Sequence, residues 1–245
     1  MKIILIILFL SIEIFSPRLI IASSEIRLSK NQDQFAKDME FYYLNKNHEI
    51  LKGLIRTLDN NKILSQGDKK LMLAAFLAEI IKESPDIKNL LLSTKNTLSR
   101  DGKRTLAWML HLANISLSQR DFNNLLDKND TILIKQIKNS PKNLLDWNIY
   151  NEKSILNMYW GAYFATGKNI FLDPIINAAL KYAYLNSSGL QHDHKYPVSQ
   201  SAAATLYEMT PRHAHIYDRV KEILATKSGV EAETLKTILH QTIQD

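Results

Sequence analysis

Cysteine is absent from this chain of 245 residues, and glycine and proline are scarce, at seven and six. The absence of cysteine excludes disulfides, a thiol nucleophile and the lipid-attachment cysteine of bacterial lipoproteins. No Asn-Gly or Asp-Gly pair stands between alternating apolar runs, so β-hairpins are not indicated. Phosphate-binding, dinucleotide-binding and Gly-x-Ser-x-Gly motifs are missing as well, which removes the common enzyme signatures.

A long run of one charge is also missing, although the net charge is +6. Basic and acidic residues alternate along the chain, and the densest basic cluster is the short stretch 100–104. Nucleic-acid binding needs a basic stripe with interleaved aromatic residues. We therefore expect no nucleic-acid partner. A mild affinity for anionic lipid or an acidic polymer is an open alternative.

The N-terminus carries the one long apolar run. Lys2 is followed by the apolar stretch 3–10, and the segment ends in the small residues 22–24. A charged residue, an apolar stretch and a C-terminal end of small residues, in that order, are typical of a secretory signal peptide. A membrane span needs about 20 apolar residues, and Glu13 and Pro17 interrupt this one.

The signal sequence is expected to occupy residues 1–24, with Ala22 and Ser24 at the cleavage site and a mature chain that starts at Glu25. Cleavage after Ala22 and retention of the segment as a membrane anchor are the alternatives. The protein is accordingly predicted to be exported from a bacterium to the periplasm or beyond, touching the membrane only during export. Residues 25–245 are predicted to form a single helical domain.

The mature chain has the pattern of helices separated by turns. Capping residues precede proline at four sites, each of which predicts a helix start, and two further stretches resemble capping boxes. Gly167 is expected to end a helix, and 186–198 is expected to be an exposed loop. The proline sites are Ser84-Pro85, Ser140-Pro141, Asp173-Pro174 and Thr210-Pro211; the capping boxes are 65–68 and 118–121.

The apolar spacing predicts an all-α fold, an irregular array of short helical hairpins that resembles an α-solenoid. Stretches such as 71–78 are apolar on every side, which indicates helices buried on most faces. The predicted helices lie near 31–45, 48–59, 68–83, 85–93, 103–117, 119–127, 131–139, 154–166, 174–186, 199–209, 212–226 and 231–243.

Residues 154–167 contain the motif Trp-Gly-x-aromatic-Phe-Ala-Thr-Gly, and 75–80 form a companion motif. The chain resembles uncharacterised exported bacterial proteins that share this motif. The resemblance implies an exported all-α protein and no particular activity. The side chains of Trp160 and Tyr163 are expected to pack in the core, with the floor of a ligand cleft as the alternative. Gly161 is expected to let a neighbouring helix approach closely.

Histidine is the one residue type with a metal-binding or reactive side chain that clusters in this sequence. Two His-x-His pairs, His192 with His194 and His213 with His215, are the candidates for a metal site. Their i, i+2 spacing does not place two ligands on one helix face. His111 lies among apolar residues and is expected to be a hydrogen-bonded core histidine.

These observations predict a protein-interaction or scaffold module of the bacterial envelope, with another protein as its partner. No catalytic residue and no cofactor are predicted, and the oligomeric state is left open. One alternative is a metal-dependent hydrolase that uses the four histidines. The other is a membrane-tethered periplasmic protein with an uncleaved N-terminal segment.

Overall fold

The computed structural model describes residues 30–116, 120 and 124–240. Within these residues the chain forms twelve α-helices and no strand, which confirms the predicted all-α class. The helices are α1 Lys30–Glu40, α2 Tyr42–Asn45, α3 Ile50–Asn60, α4 Gly67–Glu83, α5 Ile87–Leu92, α6 Arg100–Leu112, α7 Thr131–Asn139, α8 Lys153–Thr166, α9 Asn169–Ser187, α10 Tyr196–Met209, α11 Ala214–Leu224 and α12 Gly229–His240.

Helices α4 and α8 form the centre of the fold. Residues 73–81 of α4 are all buried, as the all-round apolar sequence of this helix predicts. The two helices pack along their length, and Gly161 lies where the backbones come closest. A Cβ atom at Gly161 would stand 2.3 Å from the carbonyl oxygen of Met72, so only glycine fits this crossing. The predicted close approach at Gly161 is confirmed.

The remaining helices surround this pair. Helix α6 packs on α4, while α9 follows α8 and pairs with α10, and α11 pairs with α12. The pairs α8–α9, α9–α10 and α11–α12 are consecutive in sequence, as expected of helical hairpins. The Trp160 ring stacks on Phe164 at 5.5 Å and donates its indole N–H to the Thr205 hydroxyl. Both aromatic residues lie in the core, as predicted.

Glycine stops one helix as expected. Gly167 adopts φ +70° and donates its N–H to the Tyr163 carbonyl at 2.7 Å, so it ends α8 in the left-handed conformation. The predicted core role of His111 is also confirmed, since its buried ring contacts the Ser140 carbonyl oxygen at 3.0 Å. Burial lowers the pKa of His111.

Several predicted helix starts are wrong. No α-helix follows Ser140-Pro141, because the two carbonyl oxygens there contact the side chains of His111 and Trp147. Helix α9 begins five residues before Pro174, at Asn169. Phe171 and Leu172 are buried in that first turn. Their burial outweighs the hydrogen bond that proline cannot donate.

Side chains that were expected to cap helices bond to other groups instead. Asp173 accepts two hydrogen bonds from Arg219, each at 2.8 Å, and the Thr210 hydroxyl donates to the Leu206 carbonyl. The Ser65 hydroxyl bonds the Lys62 carbonyl, so the capping box at 65–68 does not form. Helix α5 starts at Ile87, close to Pro85, without a side-chain cap.

The signal sequence 1–24, three of the four residues of the capping box at 118–121 and four of the nine residues of the predicted helix 119–127 lie outside the described residues. Among the helices that are described, none is both long enough and apolar enough to cross a membrane.

We expect Gly161→Ala to lower the free energy of unfolding by about 1–3 kcal/mol, the usual cost of overpacking. Where no neighbour is this close, alanine stabilises a helix relative to glycine by about 1 kcal/mol. The sign of the change in the free energy of unfolding therefore tests the close approach of α4 and α8. Gly67→Ala is the matched control, because a Cβ at Gly67 meets open space. Urea denaturation measures both, and a stabilised Gly161→Ala variant would contradict the close contact.

Candidate functional site

Glu40, at the end of α1, is the centre of a buried polar cluster. One oxygen of its carboxylate accepts a hydrogen bond from Arg212 at 2.5 Å. The other lies 2.9 Å from Nε2 of His213, which is the residue that precedes α11. The His213 side chain is completely buried, and the Glu40 side chain is one-tenth exposed. An ion pair and a hydrogen bond therefore join α1 to the start of α11.

The cluster continues through two tyrosines. Nδ1 of His213 lies 3.0 Å from the Tyr43 hydroxyl. The Tyr43 ring lies 5.3 Å from the Tyr163 ring, and the Tyr163 hydroxyl lies 3.0 Å from Nδ1 of His215. We call these side chains the Glu40 network; they are Glu40, Tyr43, Tyr163, Arg212, His213 and His215.

The direction of the hydrogen bonds at Glu40 follows from its charge. A carboxylate paired with Arg212 can only accept, so Nε2 of His213 donates to it. Nδ1 of His213 meets the Tyr43 hydroxyl, and Nδ1 of His215 meets the Tyr163 hydroxyl, each at 3.0 Å. The His215 contact joins α8 to α11.

Aromatic rings pack around the imidazole. Phe41 stacks on His213 at a centroid distance of 4.5 Å, and Phe164 stacks on it at 5.8 Å. The His215 ring lies parallel to that of Tyr163 at 6.0 Å. Gly167 leaves room for Tyr43, since a Cβ there would stand 2.7 Å from the tyrosine ring. These contacts hold the network in one geometry.

Burial sets the acid–base behaviour of the network. It raises the pKa of the Tyr163 phenol, and the neighbouring Tyr43 raises it further. Burial also raises the pKa of Tyr43, while the hydrogen bond from Tyr163 opposes the rise. Glu208 lies nearby, and its pKa is raised by burial, with Arg212 lowering it and Glu40 raising it. Both phenols are therefore neutral at ordinary pH.

The order of hydroxyl, imidazole and carboxylate in Tyr43, His213 and Glu40 is one that nucleophilic enzymes use. A nucleophile is activated by a lowered pKa, whereas the pKa of this phenol is raised. Both oxygens of Glu40 are already occupied, one by Arg212 and the other by His213. The arrangement favours a structural clasp between distant segments over a catalytic centre.

The four histidines considered as metal ligands separate into two groups. His213 and His215 both belong to the Glu40 network, where their Nδ1 atoms meet tyrosine hydroxyls. His192 and His194 are exposed in the turn between α9 and α10. Within the described ranges, no three histidine or carboxylate side chains are arranged to hold a metal ion.

A second feature is a surface cleft of about 320 Å³. Helix α9 supplies one wall, the segment before α8 supplies another, and the first turn of α12 closes it. We call it the tyrosine cleft; its lining residues are Tyr150, Asn177, Leu180, Lys181, Tyr184, Val230 and Glu231. Tyr184 is 49% exposed and Val230 41% exposed, so both present apolar surface to solvent.

Cations lie against the tyrosine rings of the cleft. Nζ of Lys181 stands 4.7 Å from the centre of the Tyr184 ring, and Nζ of Lys195 stands 5.5 Å from that of Tyr150. Each is within the range of a cation–π contact. Glu231 is paired with Lys227 at 3.1 Å.

No protein-family description, curated protein or solved structure matches this chain.

Sequence reasoning identified His213 and His215 but not their partners. Glu40 and His213 are 173 residues apart, and no spacing rule connects them. The aromatic run Phe41-Tyr42-Tyr43 was the available signal, because two of its rings contact His213. Tyr163 was expected in the core and is there, with its hydroxyl inside the network.

We expect Tyr163→Phe to lower the free energy of unfolding by about 1–2 kcal/mol, because it removes a buried hydroxyl and its hydrogen bond with His215. Tyr184→Phe is the control and should change it by less than about 0.5 kcal/mol, since Tyr184 is half exposed.

The pH dependence provides the second readout of this variant. A phenol whose pKa is raised in the folded state loses its stabilising contribution as pH rises above its unfolded value of about 10. Stability should therefore fall in alkaline solution, and less steeply for Tyr163→Phe. Equal alkaline slopes for the two proteins would contradict the burial of this phenol.

Proposed function

We propose that this chain is a protein-interaction module of the bacterial envelope, and that the tyrosine cleft is its binding surface. The observation that carries the proposal is the exposure of Tyr184 and Val230 at the rim of a concave surface. Tyrosine is enriched at protein interfaces because its ring is apolar and its hydroxyl forms hydrogen bonds.

The state of the buried groups supports binding over catalysis. The side chains of the Glu40 network form hydrogen bonds with one another, and burial raises the pKa values of its two phenols. A hydrolase built on the four histidines has no support, because they are divided between the network and an exposed turn.

Export is supported by the sequence of residues 1–24, whose charged start and apolar run are those of a signal peptide. An exported protein without cysteine must be stable without disulfides. The extensive helical core, which includes both central helices, is suited to this requirement.

Site-specific photo-crosslinking in bacterial cells that express the full chain tests this function. A benzophenone amino acid at position 184 should give a discrete adduct with one envelope protein. The control is the same group at Ile132, a side chain that is 74% exposed on α7 and does not line the cleft. The adduct from position 184 should disappear when Val230→Glu is added. Identical adduct patterns at the two positions, or no adduct at position 184, would overturn the proposal.

A further inference from the structure

The tyrosine cleft carries an excess of positive charge. Lys181 and Lys195 lie over its two tyrosine rings, and among the described residues no carboxylate comes within 4.0 Å of either ammonium group. Asp193 feels the charge of both lysines. Its pKa is lowered first by a hydrogen bond from the Lys195 backbone, and then by the charges of His194, Lys195 and Lys181. Within the described part of the chain, the two lysines have no ion-pair partner.

The other side of the cleft adds positive potential. Glu231 is the one carboxylate among the described residues that line the cleft, and it is paired with Lys227. The first N–H groups of α12, at Gly229–Glu231, have no partner within the helix and give its N-terminus a partial positive charge. The cleft therefore combines an apolar floor with a rim that attracts anions.

The floor and the length of the cleft limit what fits. Leu180 is buried at the base, and Val230 is exposed beside it, so an apolar side chain would be covered there. The stripe from Asn177 to Tyr184 spans about 10 Å at a rise of 1.5 Å per residue. An extended peptide covers that distance with about three residues. The Asn177 side chain is exposed and can offer hydrogen bonds to such a backbone.

We infer that the tyrosine cleft binds a short acidic peptide segment of the partner protein, with one apolar side chain on Leu180 and Val230 and carboxylates on Lys181 and Lys195. The inference rests on the proposed function and specifies its ligand by charge complementarity. The rival source of negative charge is an anionic lipid surface. A lipid surface would need the lysines but not the narrow apolar floor.

Fluorescence anisotropy on the mature protein tests the inference with a labelled peptide that has a central phenylalanine flanked by glutamates. We expect saturable binding that weakens as salt is raised, because exposed charge pairs are screened. Lys181→Glu and Lys195→Glu should each weaken binding about fivefold. Lys135→Glu is the matched control, an exposed lysine on α7 with the same change of charge, and it should leave binding unchanged.

Two outcomes would overturn the inference. One is equal binding of a peptide with lysines in place of the glutamates. The other is Lys181-dependent binding to phosphatidylglycerol vesicles without binding of the acidic peptide. If position 184 still forms its protein adduct in cells while the acidic peptide fails to bind, the interaction function stands and only the ligand chemistry is wrong.

Discussion

The approach of two backbones at Gly161 is the constraint on which the rest of the fold depends. It lets α4 and α8 bury one another although they lie far apart in sequence. Because α8 is fixed in this way, Gly167 can end it beside Tyr43, and α9 can turn back along the core. The position of Tyr163 on α8, and with it the hydroxyl that meets His215, follows from the same crossing.

The polar side chains of the Glu40 network and those of the tyrosine cleft are in different states. In the network, buried groups satisfy one another, and the ion pair of Glu40 with Arg212 ties the first described helix to α11. In the cleft, by contrast, Lys181 lies over the ring of Tyr184, which is half exposed to solvent. Ligand binding would be expected where surface groups are still free to pair, which is why the cleft carries the proposed function.

Local patterns predicted the helices well and their connections poorly. The helix 131–139 was predicted with both ends correct, because the signals that start and end it lie close to it in the sequence. The start of α9 was missed, because burial of Phe171 outweighs the rule that places proline at a helix start. The network could not be predicted, since Glu40 meets His213 only through the tertiary fold. The cleft likewise exists only where α12 meets α9.

The most direct test of the account is the coupling energy between Glu40 and His213, measured by a double-mutant cycle in urea denaturation. The variants are Glu40→Gln, His213→Phe and the combination of the two. If the buried cluster is a clasp, the two changes should be coupled by about 1–3 kcal/mol, as expected for contacting residues in one hydrogen-bond network. Additive effects, with coupling below about 0.5 kcal/mol, would contradict the clasp.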